Sequence, residues 1–179
     1  MTFKTVLRAG VGLGFMAHGA QKLFGWFGGN GLDATGQFFE EHLQMAPGKR
    51  NAAAAGLNEF GGGALLVTGR ATPIATTALT STMVTAIWKV HKDKGFFAQD
   101  GGWELNALLI AALLAVAEEE SGPRAAVFTA VAGTIGAFAA MELGRREHAR
   151  RHPQEQPAAG QPAAADAADR EPEPASTSA

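Results

Sequence analysis

The segment Ala125–Met141 (AAVFTAVAGTIGAFAAM) carries no charged residue on any face of a helix. A helix that is apolar all round is buried in the core of a large protein or lies in lipid. Leu105–Ala117 has the same character, with Asn106 as its one polar residue. Because a chain of 179 residues is too small to bury two such helices in a water-soluble core, the sequence predicts a membrane protein.

Five apolar stretches are candidates for membrane spans, each of which needs about 20 residues and at least about 17. We predict an all-α transmembrane helical bundle over residues 1–143, although the fourth stretch is short. The predicted spans are residues 6–27, 52–68, 73–90, 103–117 and 125–141. Residues 144–179 are rich in Pro, Ala, Glu and Gln and are predicted to form a disordered tail.

The distribution of Lys and Arg favours five spans over four. With five spans, ten basic residues collect at one side of the membrane and four at the other. Since basic residues concentrate on the cytoplasmic side, we expect the N-terminus outside and the C-terminus inside. Four spans with both termini inside would divide the same fourteen basic residues eight against six, which decides little. The predicted location is the cytoplasmic membrane, multi-pass, with membrane lipid as a partner.

Two features of the composition exclude whole classes of function. The chain has no cysteine, which excludes a disulfide framework, a thiolate metal site and a cysteine nucleophile within it. Any redox role therefore needs a bound cofactor or a partner protein, and no metal site is predicted. With only ten Lys and Arg in the first 144 residues, the bundle lacks the basic footprint of a nucleic-acid-binding protein.

Polar residues inside the predicted spans indicate a structural or functional role, because placing them in lipid is energetically unfavourable. At 100° per residue, those of the first helix fall in one stripe about 140° wide, which we expect to face the bundle interior. Other polar residues lie near the middle of the second span, at the end of the third and at the start of the fourth. The predicted polar cavity consists of Arg8, His18, Gln21, Lys22, Asn58, Glu59, His91 and Glu104.

Two interpretations of these residues remain open, and no catalytic residue is assigned. In the first, Glu59 pairs with Arg8 or Lys22 and joins two helices without doing chemistry. In the second, the residues line a cavity that binds a quinone or another small ligand with a polar head. A haem held by His18 and His91 is a weaker alternative. Gly10 and Gly14 are spaced for a close helix contact.

Four motifs follow one another along the chain: HGAQKLFGWFGGNGL at 18–32, NEFGGGALLVTG at 58–69, VHKDKGFF at 90–97 and GGWELN at 101–106. Over about residues 5–117 the chain thereby resembles DoxX family membrane proteins. The resemblance implies a four-helix core, to which the apolar stretch after residue 117 would add a fifth helix. It also implies a relation to the small membrane subunit of thiosulfate:quinone oxidoreductase, but supplies no catalytic assignment.

Three functions are compatible with these features, and whether the protein is an enzyme stays open. The first is a quinone-linked, redox-associated membrane subunit that works with another membrane or redox subunit. The alternative is a non-enzymatic membrane scaffold or assembly factor, for which a homo-oligomer is one option. A small-solute carrier is third, and the absence of an evident inverted repeat argues against it.

Overall fold

The computed structural model describes residues 3–153, whose regular structure is entirely helical. A π-helical turn, Ile87–His91, continues the fourth helix, and short 3₁₀ turns lie in the connections. The predicted all-α bundle is confirmed. The α-helices are α1 (Phe3–Phe24), α2 (Gly31–Glu41), α3 (Gly48–Thr68), α4 (Thr72–Ala86), α5 (Glu104–Ser121) and α6 (Pro123–Arg151).

Helices α1, α3, α4 and α5 form a four-helix ring in which each packs on the next and α5 returns to α1. Helix α6 lies outside this ring, against α4 and α5. The arrangement matches the predicted four-helix core with a fifth long helix. All four ring helices contribute to one apolar core, formed by Phe15, Leu66, Ala75, Leu79, Met83, Leu113 and Val116.

The contact between α1 and α3 depends on glycine. A Cβ atom at Gly19 would lie 2.5 Å from the backbone nitrogen of Phe60, and one at Gly63 would lie 2.4 Å from the carbonyl oxygen of Gly12. Side chains at these positions would force the two backbones apart. Gly10 and Gly14, predicted as a contact pair, instead have nothing within 4 Å of a Cβ and lie on the outer face of α1.

The two ends of the bundle differ in composition. All three tryptophans, Trp26, Trp88 and Trp103, lie beyond the end of α1 or beside the end of α4 and the start of α5, and we call this the tryptophan end. The opposite end, which we call the hairpin end, carries the short turns between α3 and α4 and between α5 and α6. Since Trp concentrates at membrane interfaces, the tryptophan end has the composition of an interface.

The prediction of disorder from residue 144 needs correction, because α6 continues to Arg151. Glu142 pairs with Arg145 at 2.9 Å and with Arg146 at 2.6 Å. Opposite charges one turn apart on an exposed helix face favour the helical conformation. The backbone nitrogen of Ala46 also donates to the carbonyl oxygen of Gly144 at 3.1 Å. The rest of the predicted tail, from residue 154 onward, lies outside the described residues.

A long helix coincides with each predicted span, but the helices differ in apolar character. Within residues 3–153, one helix, α6, is long and apolar enough to cross a membrane by length and composition, and 22% of its most apolar stretch is buried. Glycine and polar side chains lower the hydropathy of α1 and α3, and the regular part of α4 has only 15 residues. Crossing by these other helices stays a prediction.

Candidate functional site

A cavity of about 690 Å³ lies at the tryptophan end, between α1, α2, α3 and α4. Small-molecule sites in proteins commonly have volumes of about 300–1,000 Å³, so this cavity is large enough for a ring-sized ligand. Its wall includes five of the eight predicted residues: Gln21, Lys22, Asn58, Glu59 and His91.

An ion pair between α1 and α3 forms part of the cavity wall. The Nζ atom of Lys22 lies 2.6 Å from a carboxylate oxygen of Glu59. The Glu59 side chain is 3% exposed and that of Lys22 is 28% exposed. Of the two pairings considered from sequence, the structure thus forms the one with Lys22. An ammonium has three donors, so binding Glu59 does not exhaust those of Lys22.

The amides beside this pair are already engaged in bonds within the protein. Asn58 Nδ2 donates to the carbonyl oxygen of Ala78 and to Thr82 Oγ1, both at 2.8 Å, which ties α3 to α4. Gln21 Nε2 donates to the carbonyl oxygen of Phe27 at 3.3 Å. These two amides therefore hold the wall in place, and Lys22 is the wall's charged donor.

His91 reaches the cavity from the π-helical turn that follows α4. Its Nδ1 atom lies 2.6 Å from the carbonyl oxygen of Gly101. The loop that carries Gly101 is folded on itself, since the backbone nitrogens of Gly101 and Gly102 donate to Ala98 and Phe97. The ring of His91 is therefore oriented by a structured loop.

The facing wall is apolar and was not part of the predicted site. It includes Phe38 and Phe39 of α2 and Leu43, Met45 and Val90. Lys89 Nζ donates to the carbonyl oxygen of Leu43 at 2.9 Å, and Asn51 Nδ2 donates to that of Met45 at 3.0 Å. The sequence signal that could have found this wall is the Phe-Phe pair in a short amphipathic helix that follows the polar end of α1.

The structure places Arg8, His18 and Glu104 outside the cavity lining. Arg8 lies at the hairpin end, where its guanidinium is 3.1 Å from Glu120. It shares a helix face with Lys22, but 14 residues of α-helix separate them by about 21 Å. His18 is exposed, contrary to the predicted interior stripe, with Nδ1 3.2 Å from Gln21 Oε1. Glu104 begins α5 without reaching the cavity.

Residues 3–153 do not form a metal-binding cluster. In that range no group of three or more His, Asp or Glu residues is placed to hold a metal ion. His18 and His91 do not share the cavity either, since only His91 lines it. The cavity wall brings together the side chains of Gln21, Lys22, Asn58, Glu59 and His91.

The fold and the site define a helical bundle with a cavity that is polar on one wall and apolar on the other. The sequence model of the DoxX family matches residues 3–92, half of the chain, and the chain belongs to this family. The match is shorter than the resemblance seen over residues 5–117, but it includes every cavity residue except Ala140. No curated protein and no solved structure matches the chain.

Proposed function

We propose that this DoxX family protein binds a quinone head group in its cavity and serves as a quinone-linked, redox-associated membrane subunit. The observation that carries the proposal is the Lys22–Glu59 pair in the wall of a cavity of about 690 Å³. A charged donor beside an apolar wall suits a ligand with carbonyl oxygens on an apolar ring, because such sites combine large apolar contact with few placed polar groups.

Both walls contribute to this fit. Lys22 offers a donor to a carbonyl oxygen, and a hydrogen bond from a charged donor contributes about 1.5–3 kcal/mol. Phe38 and Phe39 offer aromatic surface to the ring. Because the chain has no cysteine, it has no thiol couple of its own, and electrons would pass through the bound ligand and a partner subunit.

The position of the cavity favours a lipid-soluble ligand. It lies at the tryptophan end, where ten of the fourteen basic residues close to the predicted spans also lie. By the preference of basic residues for the cytoplasmic side, this end would face the cytoplasm in a multi-pass arrangement in the cytoplasmic membrane. An isoprenoid tail could then remain in the bilayer while the head group enters the bundle.

The proposal is tested by titrating the protein, purified in lipid nanodiscs, with a short-chain quinone and following tryptophan fluorescence. We expect saturable binding that weakens about tenfold or more in Lys22→Met, because a charged hydrogen bond is lost. Arg8→Gln is the control, since Arg8 lies at the hairpin end. Absence of saturable binding, or equal affinity in Lys22→Met, would refute the proposal.

A scaffold or assembly role is the second candidate, and the outer face of α6 favours it. Helix α6 packs against α4 and α5 on one side, and exposed large apolar residues cover its other side: Val127, Phe128, Val131 and Ile135. A partner subunit or a second copy of the chain would bury this face. Extraction in a mild detergent followed by mass measurement of the intact complex would test this role, and a lone monomer would argue against it.

A further inference from the structure

We infer that the cavity recognises a ligand bearing a phenolic hydroxyl group, which donates a hydrogen bond to Nε2 of His91. The inference rests on the proposed function and deepens it. It assigns the cavity a preference for the reduced, hydroxyl-bearing form of a quinone, or for another alkylphenol, over the corresponding carbonyl form.

The first step is the proton position on His91. Nδ1 lies 2.6 Å from the carbonyl oxygen of Gly101. A carbonyl oxygen only accepts hydrogen bonds, so Nδ1 must carry the proton. In the neutral ring the second nitrogen, Nε2, then has a lone pair and acts as an acceptor. The contact with Gly101 thus determines which nitrogen of His91 is left as an acceptor.

The second step is the availability of that lone pair. Among residues 3–153, no protein group is found to bond Nε2 of His91, although the residue lines the cavity. The ring is carried by a π-helical turn, and single π turns are frequent at functional sites. The wider turn brings Val90 and His91 to the cavity lining while Lys89 bonds the carbonyl oxygen of Leu43.

The third step is the complementary group. The amide hydrogens of Asn58 bond Ala78 and Thr82, so Lys22 remains as the charged donor of the wall. Lys22 belongs to α1 and His91 to the turn after α4, and both α1 and α4 pack on α3. The cavity therefore has a donor on one flank of α3 and an acceptor on the other.

A ring with two oxygens, at least one of them a hydroxyl, can satisfy both groups, whereas a quinone satisfies only Lys22 and a simple phenol satisfies His91. An oxygen at Lys22 accepts, and a hydroxyl at His91 donates. A carbonyl oxygen in the second position would direct its lone pairs at the lone pair of Nε2. His91 is partly buried, and a ligand that displaces water from Nε2 without replacing its hydrogen bond loses about 1–3 kcal/mol, which corresponds to a preference of about fivefold to 150-fold.

The test uses a pair of probes, para-heptylphenol and its methyl ether, which share ring and chain; the ether carries a methyl group in place of the hydroxyl proton. We expect the protein in nanodiscs to bind the phenol about tenfold more tightly. In His91→Leu this ratio should fall towards one. His148→Leu is the matched control, because His148 stacks on His152 at the end of α6 and does not line the cavity.

A second measurement does not depend on the folding of a variant. With ¹⁵N-labelled histidine, nuclear magnetic resonance should show the phenol, but not the ether, shifting one Nε2 signal while the protonated Nδ1 signal of the same ring persists. Equal affinity for the two probes, or a ratio kept in His91→Leu, would overturn the inference.

The outcomes also separate this inference from the proposed function. If the phenol preference appears and depends on His91 while no quinone binds, the quinone-linked role fails and the hydroxyl recognition stands. If quinone binds through Lys22 while the phenol and the ether bind equally, the role stands and the hydroxyl recognition fails.

Discussion

The ammonium of Lys22 lies 2.6 Å from the carboxylate of Glu59, and the Glu59 side chain is 3% exposed while that of Lys22 is 28% exposed. The carboxylate is thus the partner that depends on the pair, because it has almost no access to solvent. The ammonium keeps such access. This asymmetry gives the pair a structural role that can be measured separately from its role in the cavity.

We predict that Lys22→Met lowers the free energy of unfolding more than Glu59→Gln does. The first substitution leaves a buried carboxylate unpaired, and the second leaves an ammonium that is partly solvated. Removing one partner of a fully buried pair costs about 3–5 kcal/mol. Because this pair is partly exposed at Lys22, we expect Lys22→Met to lower the free energy of unfolding by about 2 kcal/mol and Glu59→Gln to lower it by less. Thermal unfolding in detergent, followed by circular dichroism, measures the difference. An equal loss in the two variants would contradict the asymmetry.

We predict that Gly19→Ala destabilises the bundle by about 1–3 kcal/mol, as overpacking does. The added Cβ would lie 2.5 Å from the backbone nitrogen of Phe60 and 2.7 Å from the carbonyl oxygen of Gly56, and backbone atoms cannot move aside cheaply. Gly10→Ala is the matched control on the outer face of α1, where nothing lies within 4 Å. There the better helix propensity of alanine should raise stability by up to about 1 kcal/mol. If the unfolding temperature fell equally in Gly19→Ala and Gly10→Ala, the described packing of α1 on α3 would be contradicted.

We predict that Arg8→Gln lowers stability without changing ligand affinity. The substitution breaks the 3.1 Å contact with Glu120, which joins the start of α1 to the end of α5. Lys4→Gln is the milder control, because Lys4 is 38% exposed and lies 3.8 Å from the same carboxylate. Unfolding temperature and quinone titration on the same samples check both parts. Weaker quinone binding in Arg8→Gln would mean that the two ends of the bundle are coupled.

We predict that Arg70 and Asp100 lie on opposite sides of the membrane. Arg70 is at the hairpin end and Asp100 at the tryptophan end, and both are exposed. Because the chain has no native cysteine, Arg70→Cys and Asp100→Cys introduce single labelling sites. In intact cells a membrane-impermeant maleimide should label only the first, and after lysis both. Labelling of both residues before lysis would contradict the five-span topology.

The helices follow closely from the sequence, because a long apolar stretch without proline has few alternatives to a helix in lipid. All five predicted spans coincide with helices, and Pro73 and Pro123 stand near the starts of α4 and α6. The boundary at residue 144 differed because composition averages over a segment. An averaged composition does not show that Glu142 and the two arginines after it are spaced about one helical turn apart.

The polar site could be predicted only in part from the sequence. Periodicity gives the direction in which a side chain leaves the helix axis, and by this measure Arg8 and Lys22 share a face. Periodicity does not show which neighbouring helix packs against that face at each position along α1. The partner of Arg8 is Glu120, 112 residues away, and the partner of Lys22 is Glu59. One stripe was therefore divided between two ends of the bundle.

By itself, the sequence determined that the chain forms apolar helices, that it belongs among DoxX family proteins and which polar residues lie within those helices. These properties depend on local composition and order along the chain. Only the tertiary structure decided that Lys22, Glu59 and His91 line one cavity, and that α2 closes its apolar wall. Those contacts join distant segments, and the packing of α1 and α4 on either side of α3 selects them.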